Sequence, residues 1–191
     1  ILMVQSLVNS FGPAVMAAFA ATVKIDTFAY MPAQEFGNAY SIFISQNFGA
    51  GQRERVKQGT RKAMTVSAVF CGVISVLVFA FARFLMLIFV DAGETEIIEI
   101  GMQYLRIEGA FYIGIGVLFL LYGYFRGVNR PGVSLVLTVI SLGTRVVLAY
   151  VLAAVPAIGV LGIWWAIPIG WALADVTGIV LMRRGGTYGE K

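Results

Sequence analysis

Histidine is absent from this sequence, cysteine occurs once, and charged residues make up only 13% of it. Without histidine there is no histidine-ligated metal site and no Ser/His triad. The lone Cys71 lies inside an apolar segment and excludes an intrachain disulfide. Catalytic motifs are missing as well. There is no CxxC, no HExxH and no nucleophile elbow, and Gly49-Ala50-Gly51 lacks the Gly-Lys-Ser/Thr that a phosphate-cradling loop requires. Neither enzymatic activity, nor a metal, nor a cofactor is expected, and ATP-driven transport by this chain alone is not expected either.

Apolar residues fill the space that charge leaves. The 191 residues are 59% hydrophobic with a mean hydropathy of +0.86, whereas soluble domains carry about 25% charged residues. The chain therefore reads as all-α: a polytopic transmembrane helix bundle. A net charge of +4 does not point to nucleic acid, because the basic residues sit in short segments between apolar runs. Ile1 opens directly in an apolar run with no basic leader, and the lack of an initiator Met suggests a piece of something longer.

The apolar runs cover about 1–11, 13–46, 63–81, 94–125, 133–153 and 160–182, and residues 1–191 are read as one transmembrane lobe. The first run is about half of the ~20 residues a span needs and stops at Gly12-Pro13. Asn47–Gly51 breaks the second, and Gln52 to Lys62 reads as a basic loop. Arg83 closes the third run, Phe84 to Val90 reads as a short interfacial piece, and Asp91-Ala92-Gly93-Glu94 has the pattern of a capping box. Arg53, Arg55, Lys57, Arg61, Lys62, Arg126, Arg130, Arg183 and Arg184 all fall on one side of the alternating topology, and Asp91, Glu94 and Glu96 on the other. The basic side is then cytoplasmic, with the C-terminus inside. Trp164 and Trp165 fall near the outer boundary, as in an aromatic belt.

Ionisable residues inside such runs are expensive and normally face a bundle interior or a watery cavity. The second run holds Lys24, Asp26, Pro32, Gln34, Glu35 and Asn38. At ~100° per residue, Lys24, Phe28, Met31, Glu35 and Asn38 share one face, and Thr22, Asp26 and Tyr30 share another. In the fourth run Glu108 lies ~18 Å beyond Glu96, near mid-membrane, and Tyr104, Glu108 and Tyr112 form an i, i+4, i+8 face. Arg106 points away from Glu108 and is expected to pair with Glu99 or Gln103. Ser134, Thr138, Ser141 and Arg145 make a helical stripe in the fifth run, where the hydroxyls suit helix–helix glue. Arg145 needs a carboxylate, with Asp26 and Glu108 as candidates. Asp175 follows Pro168 and Trp171 in the last run.

Two basic groups against three acids at depth leave at least one carboxylate without a basic partner. Such a group must be protonated, bind a cation or face water. Glu35 and Glu108 are therefore read as substrate or ion-coupling candidates, with Tyr104, Tyr112, Asn38 and Gln34 beside them. Lys24, Asp26, Arg145 and Asp175 are read as buried structural charges.

Taken together, Val8-Asn9-Ser10-Phe11-Gly12, Lys24-Ile25-Asp26-Thr27-Phe28 with Pro32, Gln46-Asn47-Phe48-Gly49-Ala50-Gly51-Gln52, Tyr104-Leu105-Arg106, Arg126-Gly127 before Pro131, and Ile163-Trp164-Trp165-Ala166-Ile167-Pro168-Ile169-Gly170-Trp171 carry a resemblance. The chain resembles the C-terminal half of a multidrug and toxic compound extrusion (MATE) family transporter. The resemblance implies one six-helix lobe of a twelve-helix secondary antiporter, with its first helix truncated. Such an antiporter exports amphipathic, often cationic drugs or toxins in exchange for sodium ions or protons. The implied partners are small-molecule drugs or organic cations, membrane lipid and an N-terminal lobe missing from this chain, with no nucleic acid. The implied location is a bacterial plasma (inner) membrane. The alternatives are a lipid-linked oligosaccharide flippase, whose anionic cargo would favour several basic residues facing the cavity, and a non-transporting membrane scaffold subunit. In the topology read here, a cysteine placed at Gln58 should resist an impermeant thiol reagent in intact cells and react once the inner face is exposed. Labelling from outside would invert the topology.

Overall fold

The computed structural model describes residues 2–184. They form seven helices: α1 (Leu2–Asn9), α2 (Pro13–Gly49), α3 (Arg53–Leu87), α4 (Thr95–Gly109), α5 (Tyr112–Gly127), α6 (Pro131–Ala153) and α7 (Val160–Arg184). Helices α2, α3, α6 and α7 are each long and apolar enough to cross a membrane, and α4 with α5 makes a fifth crossing bent by 52°. No strand occurs among the described residues.

Helix α2 organises the lobe. Its 37 residues would span ~55 Å, well beyond a ~30 Å hydrocarbon core, and Pro32 lies inside it without ending it. It packs along α5 and also touches α3 and α4, while α6 and α7 form a second close pair. The two faces expected from its periodicity are visible. Thr22 and Asp26 are buried, whereas Lys24, Phe28, Met31 and Glu35 are exposed.

The turns at the basic end share one chemistry. After α2, Gly51 takes φ +70°, Gln52 N–H donates to the Asn47 carbonyl at 2.8 Å and Gly51 N–H to the Phe48 carbonyl at 3.0 Å. After α5, Asn129 takes φ 59°, with Arg130 N–H on the Phe125 carbonyl at 2.7 Å and Asn129 N–H on the Arg126 carbonyl at 3.2 Å. Both are Schellman motifs, which satisfy carbonyls left over at a helix end, and Pro131 then starts α6.

Several expectations need correction. Residues from Arg53 onward are not a loop: they are the first turns of α3. No proline interrupts them, and Gly59 is accommodated against the Phe43 ring, so the helix simply runs on past its apolar section. The stretch from Phe84 is not a separate piece, since α3 continues to Leu87 and includes Arg83. Asp91 does not cap a helix with its side chain. Glu94 is the N-cap of α4 and makes no side-chain cap bond. The run 94–125 is two helices rather than one, broken after Gly109, whose bare Cα packs on Val78. Trp164 is fully buried and stacks on Phe19 with ring centroids 5.8 Å apart, so it is core, and only Trp165 is exposed.

In lipid there is no hydrophobic drive between helices, so close backbone approach through small residues carries the packing. A Cβ on Gly123 of α5 would sit 2.5 Å from the Gly37 carbonyl of α2, and one on Gly170 of α7 would sit 2.6 Å from the Ser141 carbonyl of α6. Backbone cannot yield as a flexible side chain can. Gly123→Ala should therefore destabilise the lobe by about 1–3 kcal/mol, lowering the melting temperature in detergent. Gly143→Ala, with nothing within 4 Å of the added carbon, should be neutral or slightly stabilising.

Candidate functional site

Four helices and a break bring the buried polar groups together. Asp26 on α2 is 2% exposed, and Glu108 in the last turn of α4 is 3% exposed. Tyr112, the first residue of α5, donates its hydroxyl to Asp26 Oδ1. Tyr104, one turn before Glu108, is fully buried beside both carboxyls, and Arg145 of α6 lies within electrostatic range of the two. Tyr30 closes the group from α2, its ring edge-on to Tyr112 at 6.3 Å. Asp26 Oδ2, Glu108 Oε2 and Arg145 Nε make no hydrogen bond and are shielded from solvent.

The break explains why the cluster sits here. Ala110 and Phe111 lie between α4 and α5, so one helix ends and another begins beside two carboxyls. The N-terminus of α5 carries a partial positive charge, and the C-terminus of α4 leaves carbonyls pointing out. Half-helix ends of this kind are where broken transmembrane helices hold ions and charged groups. Two carboxyls against one guanidinium leave one negative charge in excess. A bare excess charge at this depth costs several kcal/mol, and a proton or a small cation would neutralise it. Among the described residues no group of three His, Cys, Asp or Glu side chains is placed to hold a metal ion.

The sequence candidates divide into two places. Glu108, Tyr104 and Tyr112 join the cluster, together with Asp26 and Arg145. Helix periodicity put Tyr104, Glu108 and Tyr112 on one face of a straight helix; instead Tyr112 reaches Asp26 across a break. Asn38, Gln34 and Glu35 lie elsewhere, towards the basic end. Gln34 and Asn38 line an open pocket of about 390 Å3 with Phe119, Tyr122, Arg126, Ser134 and Thr138. Arg126 Nη2 donates to Asn38 Oδ1 at 2.9 Å, and Asn38 Nδ2 donates to Glu35 Oε2 at 3.4 Å. Ser134 Oγ donates across to the Tyr122 carbonyl at 3.3 Å, so one hydroxyl of the α6 stripe does join two helices.

Three charges expected at depth are placed differently, and the first is Glu35, which is exposed. Lys24 is exposed, with its ammonium 5.8 Å from the centre of the Phe89 ring, so it is not a buried structural charge. Arg106 lies over the Phe79 ring at 5.6 Å rather than beside Glu99 or Gln103. Both long side chains use an aromatic face where an acid was expected. Tyr30 and Arg126 were missed as site residues. The signal for Tyr30 was present, since it lies one turn from Asp26 on the same face; nothing in the sequence joined Arg126 to Asn38, 88 residues earlier.

A family model described as MatE matches residues 2–151. The chain is 29% identical over 175 residues to the probable multidrug resistance protein YoeA of Bacillus subtilis, covering 90% of this chain and 37% of that protein. It is 31% identical over 138 residues to the probable multidrug resistance protein YpnP of the same organism, covering 72% of this chain and 31% of that one. Among solved structures, the outward-facing conformation of a multidrug resistance MATE family transporter superimposes with a TM-score of 0.90 at 19% identity, over 99% of this chain and 43% of that chain. The chain thus spans about a third to two fifths of the length of these proteins.

If the Tyr112 hydroxyl anchors Asp26, removing it leaves a buried carboxyl with no donor. Tyr112→Phe should cost about 1–3 kcal/mol, read as a lower melting temperature in detergent. The loss should shrink when Asp26→Asn is already present, and additive effects of the two substitutions would show that the bond carries no coupling.

Proposed function

The chain belongs to the MatE family, and from that membership we propose that it forms the C-terminal lobe of a secondary active antiporter. The antiporter exports amphipathic, often cationic drugs or toxins from a bacterial cell in exchange for sodium ions or protons. A multi-pass membrane protein of this kind works with a second lobe across a central cavity, and sits in the plasma membrane with its basic end in the cytoplasm.

The observation that carries this reading is the buried Asp26–Tyr112–Glu108 cluster at the α4/α5 break, with one negative charge in excess over Arg145. When the excess charge is neutralised by a proton or sodium ion, the cluster can close and dehydrate. When the ion leaves, the uncompensated carboxylate favours water or a cationic substrate, so the two ligands compete for one charge. That competition links the fluxes without ATP. Glu108 and Asp26 hold the exchanged cation, Tyr104 and Tyr112 orient the carboxyls, and Arg145 sets the charge balance. Gln34, Asn38 and Glu35 offer polar contacts to substrate at the cytoplasmic pocket, which is rimmed by Phe119 and Tyr122 for an aromatic or aliphatic body.

In the complete gene product, Glu108→Gln removes the excess charge permanently. Efflux coupled to a proton or sodium gradient should fall by about tenfold or more, the size of a 1–3 kcal/mol coupling, while folded protein remains near the normal amount. Its pH or sodium dependence should flatten at the same time. Wild-type efflux by both Glu108→Gln and Asp26→Asn across pH and sodium would remove the cluster from coupling.

A further inference from the structure

Asp175 on α7 is a second buried carboxyl, and the cluster makes no use of it. It is 9% exposed, and its Oδ1 is shielded from solvent without a hydrogen-bond partner. On the other side, Oδ2 lies beside Gly114 of α5, where an added Cβ would make ordinary contact at 3.6 Å. Gly114 and Tyr112 are two residues apart, so at ~100° per residue they face nearly opposite sides of α5. Asp26 is reached from one side of the helix and Asp175 from the other.

The surroundings define what the carboxyl can bind. On α5, Tyr122 lies within electrostatic range of Asp175, and its hydroxyl lies beside the Thr138 hydroxyl of α6. From α6 the nearest charge is Arg145, whose Cβ packs near Gly170, more than a turn before Asp175 on α7. On α7 itself the neighbour is the Trp171 ring, one turn earlier and also against Gly114. Glu108 of α4 points to Asp26, on the far side of α5. A metal cation needs a shell of several oxygens, and these neighbours offer no such shell. A carboxyl buried without a donor is costly as an anion, whereas a proton needs only one oxygen. Tyr122 and Thr138 in turn line the polar pocket at the basic end, which is open to solvent.

We propose that Asp175 is a proton-binding site separate from the Asp26–Glu108 cluster, exchanging its proton with the cytoplasmic pocket through the Tyr122 and Thr138 hydroxyls. The exchanged species is one proton: the neutral carboxyl packs between α5, α6 and α7, and the anion formed when it leaves draws water along the Tyr122–Thr138 side. The site does not depend on the antiporter reading, because neither a drug nor a gradient enters its test.

Infrared difference spectra of the complete gene product, acid minus alkaline, should contain a protonated-carboxyl C=O band that persists in Asp26→Asn and in Glu108→Gln and is lost in Asp175→Asn. In the double variant Tyr122→Phe with Thr138→Val, the deuterium shift of that band should be slowed several-fold after transfer to heavy water. An Asp175→Asn spectrum identical to wild type overturns the proposal, as does a band that neither titrates nor shifts in heavy water. If Asp175→Asn does not fold, the double variant decides: a slowed shift supports the exchange path, and an unchanged rate overturns it.

Discussion

The hydrogen bond from Tyr112 to Asp26 ties the longest helix of the lobe to the first residue of α5, at the one place where a membrane crossing is broken. In hydrocarbon every polar group must find its partner inside the protein, so a break at this depth is tolerated only where side chains and helix ends satisfy one another. Asp26 receives a donor, α5 presents its positive end to two carboxyls, and the aromatic rings of Tyr30, Tyr104 and Trp164 seal the cluster from the rest of the bundle. Without that bond Asp26 would be a buried carboxyl with no donor; without the break the two carboxyls would have no half-helix ends beside them.

Backbone proximity is the second requirement. The α2–α5 pair approaches through Gly37 and Gly123, and the α6–α7 pair through Ser141 and Gly170. These contacts fix α5 against α2 closely enough for a tyrosine to span the gap, and bring Arg145 of α6 to the cluster from the opposite side. The charged groups are therefore held by two tight helix pairs, with α5 in contact with both.

Much of this was legible in the sequence, for reasons that name themselves. Composition pointed to a membrane protein, because 13% charged residues is about half of what soluble domains usually carry, and the length of the apolar runs pointed to helices. The period of α2 separated Thr22 and Asp26 from Lys24 and Glu35, because a helix this long has only two environments to offer. Charge arithmetic at depth counted Lys24 and Glu35 among the buried groups, whereas both are exposed; the excess that remains is that of Asp26 and Glu108 over Arg145. What was not legible depended on neighbours far apart in the chain. Lys24 was read as a buried charge and is exposed beside the Phe89 ring; Trp164 was assigned to the interface and stacks in the core on Phe19. The α4/α5 break escaped because Gly109 and Gly114 are as common in membrane helices that continue as in those that stop, and no proline marked it. The start of α3 escaped for the converse reason: charge density reads as loop, although a helix can run on past the membrane, where basic residues carry no burial cost.

The position of α5 has a consequence for how the lobe can move. Its first turn carries Tyr112 towards α2 and Gly114 towards α7, and only Ala110 and Phe111 join it to α4. Few residues with freed backbone groups are what a hinge requires, since they absorb dihedral change without disturbing packed helices. Rotation of α5 about that junction would alter the Tyr112–Asp26 contact and the Gly114–Asp175 contact together, in opposite senses on opposite faces. The glycines that hold α5 against α2 lie towards the other end of the helix, while its near half packs through buried Tyr112 and Ile115 and through Gly116 against Cys71 and Ser67 of α3. A change of charge at the cluster is therefore felt first at Tyr112, next to the Ala110–Phe111 junction, in a segment that α2, α3 and α7 all touch.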